Sequence, residues 1–166
     1  MTFEEFVHSR GAALVRFARL LTGDDHRADD LVQDVLARAF VKWRRVSATE
    51  RPDLYVRRML VNANASWWRR RASTEVVVAV PADRPTSAHE DELAERDHLW
   101  SVVARLPVRQ RAVLVLRYYE DLDDASIAEI LDISAVTVRT TASRALAALR
   151  ERYTLDSALP GTGSPS

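Results

Sequence analysis

Two short apolar-striped segments, joined by a tight turn between Asp121 and Arg152, constrain this chain more than any other part of it. Their apolar residues recur every three or four positions, which predicts two amphipathic helices. Asp123 and Ser134 precede the first turns of these helices, and their side-chain oxygens can accept a backbone N–H as N-caps. Asp132 falls in the turn, in a conformation that Asp tolerates better than most residues. The segment therefore predicts a helix-turn-helix.

The second helix of this pair has two contrasting faces. Its predicted buried stripe consists of Val138, Ala142, Ala145, Leu146 and Leu149. Its opposite flank is basic and hydrogen-bonding, with Arg139, Thr140, Ser143, Arg144 and Arg150. Such a flank suits the major groove of DNA, where arginines and hydroxyls contact base edges. An ordinary helical hairpin with a solvated basic face has the same pattern, so the segment alone leaves both interpretations open.

Composition limits the fold and the class of protein. The chain has 166 residues, 47% of them hydrophobic, with 4 glycines and 6 prolines. Apart from residues 76–80 (VVVAV), no strand-like run is long, so we expect an all-α protein. The chain has no cysteine, which excludes disulfides and cysteine-ligated zinc and is compatible with a reducing cytoplasm. Because no apolar run reaches membrane-spanning length, we expect a cytoplasmic protein without membrane insertion.

The net charge of zero hides an uneven distribution along the chain. Residues 1–71 carry 14 basic and 9 acidic side chains, residues 72–101 carry 2 and 7, and residues 102–166 carry 8 of each. Attraction to nucleic-acid phosphates is therefore expected in the N-terminal part and on the last helix. Nearly all the basic residues are arginines, which suits forked contacts with phosphate and guanine. The same bias also accompanies a GC-rich genome.

The sequence divides into two helical parts. Residues 73–92 include Pro81 and Pro85, small residues and acidic groups without helical periodicity, which is typical of a flexible linker. We predict two small helical domains, at residues 1–72 and 93–154, joined by this linker and followed by a disordered tail at residues 155–166. The run at residues 76–80 would alternatively form a short strand or pack against one domain.

The N-terminal domain begins with a capping-box pattern at Thr2 and Glu5, and Gly23 is predicted to end its first helix. A second helix, from about residue 25 to residue 43, is predicted to bury Phe40 among other apolar residues. Its outer face carries Asp30, Gln33, Asp34 and Arg38. Taken alone, this outer face is interpreted as solvated.

The third helix, predicted over residues 52–71, interleaves aromatic, amide and basic side chains. Its candidate nucleic-acid-binding residues are Tyr55, Arg57, Arg58, Asn62, Asn64, Trp67, Trp68, Arg69, Arg70 and Arg71. Aromatic rings stack on exposed bases, arginines hold the backbone and amides reach base edges, so the pattern favours single-stranded or melted nucleic acid. At least one of the two tryptophans is also a candidate core residue.

Four ordered motifs of the chain are similar to those of one family. They are AxxLVQDVLARAFxxW, LYVRRMLVNxxxSWWRRR, LPVRQRAVLVLRYYEDLDDASIAEILDIS and TVRTTASRALAALR. Over residues 3–153 the chain thereby resembles the extracytoplasmic-function (ECF) RNA polymerase sigma factors, close to the sigma-E-like subgroup of actinobacteria. The resemblance implies a protein that binds core RNA polymerase, directs it to promoter DNA for transcription initiation and helps to open the promoter. Sigma region 2 would precede the linker and sigma region 4 would follow it.

The resemblance implies two sets of functional residues in region 2. The set that matches the surface for the polymerase clamp helices is Asp30, Gln33, Asp34 and Arg38. The set that matches the part opening and reading the minus-10 element is Arg57, Arg58, Asn62, Asn64, Trp67, Trp68, Arg69, Arg70 and Arg71. In the second set, the two asparagines lie near the loop expected to capture a flipped base.

The resemblance implies further contacts in region 4. The residues that match positions entering the major groove at the minus-35 element are Arg139, Thr140, Ser143 and Arg144. Residues 115–119, with Arg109 and Arg111, are similar to the part that docks on the polymerase flap. Because many relatives are held inactive by an anti-sigma factor, such a factor is a further candidate partner.

Other classes of function explain less of the sequence. A stand-alone helix-turn-helix transcriptional regulator would need only residues 95–153, and it leaves the aromatic and basic third helix unexplained. A protein-interaction adaptor would have no use for that helix either. The histidines at positions 8, 26, 89 and 98 have neither metal-ligand spacing nor a triad-like setting. We therefore expect no enzymatic activity, no metal and no cofactor.

Overall fold

A computed structural model of the chain describes residues 1–73 and 92–158. Its N-terminal module consists of α1 (Phe3–Thr22), α2 (Asp25–Val41), α3 (Trp43–Ser47) and α4 (Pro52–Ser73). Its C-terminal module consists of α5 (Glu92–Val103), α6 (Val108–Leu114), a π-helical turn (Val115–Tyr119), α7 (Asp124–Leu131) and α8 (Ala135–Ala158). All regular structure in the described ranges is helical, which confirms the predicted all-α class. The run at residues 76–80 lies outside them.

Helix α1 begins and ends as its sequence predicts. The Thr2 hydroxyl accepts the backbone N–H of Glu5 at 3.1 Å, and the Glu5 carboxylate accepts the backbone N–H of Thr2 at 2.8 Å. At the other end Gly23 adopts a left-handed conformation with φ 71°. Because glycine has no side chain, it adopts this conformation without a steric cost. Its N–H donates to the carbonyl of Arg19 at 2.9 Å. The capping-box prediction is thus confirmed.

Helix α2 is shorter than predicted, and one of its aromatic residues is not buried. Its buried stripe consists of Ala28, Val32, Val35 and Ala39. Phe40 is 58% exposed, so the prediction that it is buried was wrong. It follows Ala39 by one residue, which turns it about 100° out of the stripe. Its ring instead meets Phe3 edge-on at a centroid distance of 5.1 Å.

The π-helical turn interrupts the path from α6 to α7. The backbone N–H of Glu120 donates to the carbonyl of Val115 at 3.0 Å, which is an i to i+5 pairing rather than the i to i+4 pairing of an α-helix. Val115 and Leu116 are buried within the turn, whereas Tyr118 is exposed. The turn therefore buries two apolar side chains, and Glu120 lies directly after its last residue.

The two modules share a hydrophobic core. One continuous cluster of buried residues includes Phe17 of α1 and Leu60 of α4 together with Val113 of α6 and Ile127 of α7. A smaller cluster inside the C-terminal module consists of Val103, Leu106, Leu114 and Ala145. The described parts of the two modules are therefore docked on each other, with α4 packed against α7.

Helix α8 continues beyond the helix-turn-helix. It runs to Ala158, past residue 155, where we predict the tail to begin. The Thr154 hydroxyl donates to the carbonyl of Arg150 at 2.8 Å within its last turns. Pro160 is the first residue that cannot continue an α-helix, so the sequence itself permits the added turn.

Candidate nucleic-acid interface

The helix-turn-helix is built from α7, the following turn and the start of α8. The Asp123 carboxylate accepts the backbone N–H of Ser126 at 2.7 Å, and this hydrogen bond holds the pKa of Asp123 below its ordinary value. The Ser134 hydroxyl accepts the backbone N–H of Thr137 at 3.1 Å. Between the helices Asp132 has left-handed dihedrals of φ 54° and ψ 49°. Both predicted caps and the predicted turn are therefore present.

Helix α8 separates its apolar and polar residues as the sequence predicts. Val138, Ala142 and Ala145 are buried against the rest of the module. The opposite flank is exposed along Arg139, Thr140, Ser143, Arg144 and Arg150. A helix that presents arginines and hydroxyls on one open flank can enter the major groove without rearranging its own packing.

Asp124, in the first turn of α7, contacts the start of this flank. One carboxylate oxygen of Asp124 lies 3.0 Å from Nη1 of Arg117, and the other lies 3.7 Å from Nη1 of Arg139. The Asp124 side chain is largely buried and the Arg139 side chain is mostly exposed. Asp124 therefore lies within ion-pair distance of both Arg117 and Arg139.

Helix α4 places its predicted nucleic-acid-binding residues in three environments. Asn62, Arg69 and Arg70 are exposed. Tyr55, Arg58, Trp67, Trp68 and Arg71 are partly buried. Arg57 and Asn64 are buried. The helix thus presents an open basic end at residues 69–71, whereas its first half is covered.

Arg27 of α2 organises the aromatic part of α4. Its guanidinium carbon lies 3.7 Å from the ring centroid of Trp67, and its Nη2 donates to Oδ1 of Asn64. The rings of Trp67 and Trp68 meet edge-on at a centroid distance of 5.0 Å. An open cavity of about 240 Å³ lies beside this stack, lined by residues of α2 and α4 that include Arg27, Trp67 and Arg70. Cationic and aromatic groups thus line one concave surface, together with the carboxylates of Asp30 and Asp34.

Burial makes Arg27 electrostatically unusual. It lowers the pKa of Arg27 to about 10, with the positive charges of Arg111 and Arg71 acting in the same direction and Asp24 opposing them. Arg27 remains protonated at neutral pH, but its charge is incompletely solvated. An anionic group that entered the cavity would therefore gain a favourable partner.

Two donors near this stack have no acceptor within the described residues. They are Nδ2 of Asn64 and Nε1 of Trp68, both inaccessible to solvent. A buried donor without a partner carries a free-energy cost. Either donor would gain a partner if a base edge replaced the protein atoms that cover it.

Arg57 and Arg58 face the C-terminal module. Nη2 of Arg57 lies 2.6 Å from Oε2 of Glu120, and Nη1 lies 3.2 Å from Oδ2 of Asp53. Nη2 of Arg58 lies 4.0 Å from Oδ1 of Asp132 in the helix-turn-helix. Two of the five α4 arginines predicted to act on promoter DNA are therefore paired with carboxylates in the structure.

Arg111 is not on the surface expected for a flap contact. It is 4% exposed, and its Nη1 donates to the carbonyl of Leu21 at 3.0 Å while its Nη2 donates to the carbonyl of Leu106 at 3.2 Å. Burial lowers the pKa of Arg111 to about 10. The expected surface retains the exposed side chains of Arg109 and Tyr118.

The outer face of α2 is open. Its four predicted polymerase-binding residues, Asp30, Gln33, Asp34 and Arg38, are all exposed. Nη2 of Arg38 lies 2.8 Å from Oδ2 of Asp34, one helical turn away. This face is mixed in charge, and three of its residues also line the cavity beside α4.

Sequence reasoning missed Arg27 and Asp124 as parts of these surfaces. Arg27 reaches Asn64 across 37 positions of sequence, and no local spacing signals such a contact. Asp124 resembled a residue that merely favours a helix N-terminus. Both roles depend on how helices pack, which periodicity does not specify.

The described residues offer no sign of metal or membrane chemistry. Within residues 1–73 and 92–158, no three His, Asp or Glu side chains are grouped as metal ligands would be. In the same part of the chain, no helix combines the length and the apolar character needed to span a membrane.

Two family models match the chain in the order of its modules. The model described as Sigma-70 region 2 matches residues 6–74, and the model described as Sigma-70, region 4 matches residues 96–149. The first match contains the outer face of α2 and all of α4. The second contains the helix-turn-helix.

Curated proteins and solved structures are similar over nearly the whole chain. The RNA polymerase sigma-E factor of Streptomyces coelicolor is 38% identical, over 91% of this chain and 85% of that protein. The ECF RNA polymerase sigma factor SigL of Mycobacterium tuberculosis is 29% identical, over 84% of this chain and 81% of that protein. The sigma factor RpoE of Bartonella quintana, solved with the anti-sigma factor NepR, has the same fold with a TM-score of 0.76 at 24% identity, over 93% of this chain and 98% of that one.

Proposed function

The chain belongs to the ECF group of the sigma-70 family, and from this membership we propose how its surfaces divide the work of promoter recognition. It is a sigma factor, which binds core RNA polymerase and directs transcription initiation at specific promoters. It acts as an initiation factor rather than as an enzyme. The observation that carries the proposal is the presence of both sigma regions, in order, on one chain with an open basic recognition helix.

We assign recognition of the minus-35 element to the exposed flank of α8. Arg139, Thr140, Ser143 and Arg144 lie on this flank, and its apolar side is already occupied by the module core. Arginine pairs in a forked geometry with guanine in the major groove, and hydroxyls reach several base edges. Asp124 supports the assignment because it holds Arg139 from the protein side.

We assign opening and reading of the minus-10 element to α4 and the adjacent cavity. The exposed end at Arg69 and Arg70 would hold the backbone of the separated strand, and Asn62 is free to meet a base edge. A base turned out of the stack would find the Trp67 ring and the Arg27 charge at the cavity. Arg57, Arg58, Asn64, Trp68 and Arg71 complete this proposed set.

We assign the polymerase clamp contact to the outer face of α2. Its carboxylates, amide and guanidinium are exposed and lie on a rigid helix, which suits a stable protein partner better than a mobile loop would. The flap contact is assigned to the surface that includes Arg109 and Tyr118, without Arg111. A subunit of the transcription machinery works beside the chromosome, so we place the protein in the cytoplasm.

An anti-sigma factor is part of the proposal as a regulatory partner. The RpoE structure contains such a factor, NepR, bound to the sigma factor. A second similar structure contains CnrH bound to the cytosolic domain of CnrY, with a TM-score of 0.62 at 24% identity over 95% of this chain and 89% of that one. The chain contains no cysteine, so it has no thiol with which to sense redox conditions directly.

The decisive experiment is in vitro transcription with purified core RNA polymerase on a fragmented library of the source genome. The 5′ ends of the transcripts are sequenced with and without the protein. Transcripts that depend on the protein and share spaced upstream elements are expected. Absence of such transcripts, together with absence of core binding, would overturn the proposal in favour of a stand-alone helix-turn-helix regulator.

A further inference from the structure

One apolar side chain lies exposed at the start of the recognition helix. Val136, the second residue of α8, is 62% exposed. The other large apolar side chains within residues 135–147 are covered, since Val138 is buried and Leu146 is half-buried. An exposed valine gains no packing in the free protein, and its β-branched side chain lowers helix propensity relative to alanine. The stability of the fold therefore does not explain a valine at this position.

Val136 lies on the flank of α8 that we assign to the minus-35 element. Steps of three and four residues lead from Val136 to Arg139 and Thr140, and one further turn leads to Ser143 and Arg144. Residues with this spacing are neighbours on one face of a helix, and all five are exposed. Val136 is the first of them. Because the N-terminal residues of a recognition helix are those that contact base edges, Val136 enters the major groove together with the arginines.

The first turn of α8 holds Val136 in position before any DNA is bound. The Ser134 hydroxyl accepts the backbone N–H of Thr137 at 3.1 Å, and the Ser134 carbonyl accepts the backbone N–H of Val138 at 3.0 Å. The Val138 side chain is fully buried, which anchors the turn on the core. A β-branched side chain in a helix has one strongly preferred rotamer. The methyl groups of Val136 therefore lose little conformational freedom when they meet a base.

The hydroxyl nearest to Val136 along this flank is turned back to the helix. Oγ1 of Thr140 donates to the carbonyl of Val136 at 3.0 Å. The hydroxyl proton is therefore used inside the helix, and only the oxygen remains to accept a hydrogen bond from a base. The start of the flank consequently presents the apolar surface of Val136 beside the guanidinium donors of Arg139.

The major groove contains one specific partner for an apolar side chain. Phosphates and the nitrogen and oxygen atoms of base edges are polar, whereas the C5-methyl group of thymine is apolar and lies in the major groove. We propose that Val136 is a specificity-determining residue that contacts the C5-methyl group of a thymine in the minus-35 element. This inference rests on the proposed function. The contact adds a preference for thymine over cytosine, which lacks this methyl group, to the contacts of the arginines.

Replacement of thymine by deoxyuridine, which lacks only this methyl group, tests the proposal. Each thymine on either strand of the minus-35 element is replaced in turn, and transcription is measured with the full chain bound to core RNA polymerase, at concentrations that do not saturate the promoter. The loss of one buried methyl contact should lower transcription by the wild type about threefold to fivefold at one of these positions. At that position the variant Val136→Ala should transcribe the thymine and deoxyuridine promoters equally.

The controls separate the methyl contact from folding and from the proposed function. Val136→Ala should melt no lower than the wild type, because alanine is the better helix former at an exposed position. Val41→Ala makes the same change at an exposed valine of α2 and should keep the full loss with deoxyuridine. Equal losses for the wild type and Val136→Ala at every thymine, or a minus-35 element without thymine on either strand, would overturn the role of Val136 and leave the sigma assignment intact. If the wild-type chain fails to initiate with core polymerase, the sigma assignment itself fails.

Discussion

A carboxylate oxygen of Asp124 lies 3.7 Å from Nη1 of Arg139, while the other oxygen lies 3.0 Å from Nη1 of Arg117. The contact joins the first helix of the helix-turn-helix to the residue at the start of the recognition flank. A long arginine side chain that is held from behind loses less conformational freedom when it meets a base. We therefore expect Asp124 to contribute to base selectivity at the minus-35 element through Arg139.

Replacement Asp124→Asn should relax base preference at the minus-35 element. The amide removes the charge that orients Arg139, so discrimination between the preferred base and the next should fall by about threefold to tenfold. Stability should change by less than about 1 kcal/mol, because the ion pairs are partly exposed. Transcription from a set of single-base minus-35 variants measures the effect, with Glu129→Gln as control. If the variant protein transcribes these promoters in the same order and over the same range of yields as the wild type, Asp124 does not have this role.

Replacement Arg139→Ala or Arg144→Ala should lower promoter-specific transcription. Each lost bidentate contact with guanine is worth about 1–3 kcal/mol, equivalent to roughly 5- to 150-fold in activity. Binding to core polymerase should not change, because both residues lie on the flank of α8 away from the α2 face. Arg16→Ala removes an exposed arginine from α1 and should leave transcription intact. Wild-type transcription by both α8 variants would rule out this assignment.

Replacement Asp30→Arg should weaken the complex with core polymerase. A reversed charge within a complementary protein interface is expected to reduce affinity by about tenfold, or roughly 1.4 kcal/mol. The unfolding midpoint should stay near that of the wild type because Asp30 is exposed. Glu151→Arg makes the same change on the exposed surface of α8 and serves as the control. If the two variants bind core polymerase with equal affinity, Asp30 is not part of the polymerase-binding surface.

Replacement Gly23→Ala should destabilise the protein through both its backbone and its packing. An alanine at φ 71° carries a cost of about 1–2 kcal/mol. Its Cβ would also lie 3.1 Å from Cβ of Ala104 in the other module. For a chain of this size the melting temperature should fall by about 2–8 °C.

Two further variants make the Gly23 result specific. Gly11→Ala changes a glycine inside the same helix, where the new Cβ would meet Val7 at an ordinary 3.7 Å. It should raise stability by about 0.5–1 kcal/mol. Adding Ala104→Gly to Gly23→Ala should recover only the packing part of the loss. Full recovery of the melting temperature would show that alanine adopts the left-handed backbone at position 23 without a free-energy cost.

The sequence predicted the features that depend on near neighbours in the chain. The caps at Thr2, Asp123 and Ser134 each join residues three positions apart, so their pattern is visible in the sequence. The left-handed turn at Asp132 follows from the short spacing between two apolar stripes. The exposed flank of α8 follows from its helical period, which also assigns the opposite side to the core.

Features that depend on distant neighbours escaped prediction. Arg57 lies among arginines and aromatic residues, and nothing in that local pattern predicts its ion pair with Glu120 of the other module. The family resemblance placed Arg111 on the flap-docking surface with Arg109, but Arg111 is buried at the end of α1. Phe40 is apolar, but it lies outside the face of α2 that packs against α1, so its side chain is exposed. In each case the outcome was decided by packing between helices, on which periodicity carries no information.

The π-helical turn makes the ion pair between Glu120 and Arg57 depend on one residue of chain length. Its i to i+5 pairing between Val115 and Glu120 is the geometry that remains when an α-helix accepts a single inserted residue. Deletion of the exposed Tyr118 would restore ordinary winding and rotate Glu120 by about 100° relative to α6, away from Arg57. The loss of a single codon would therefore separate Glu120 from Arg57 and leave every residue of α8 in place.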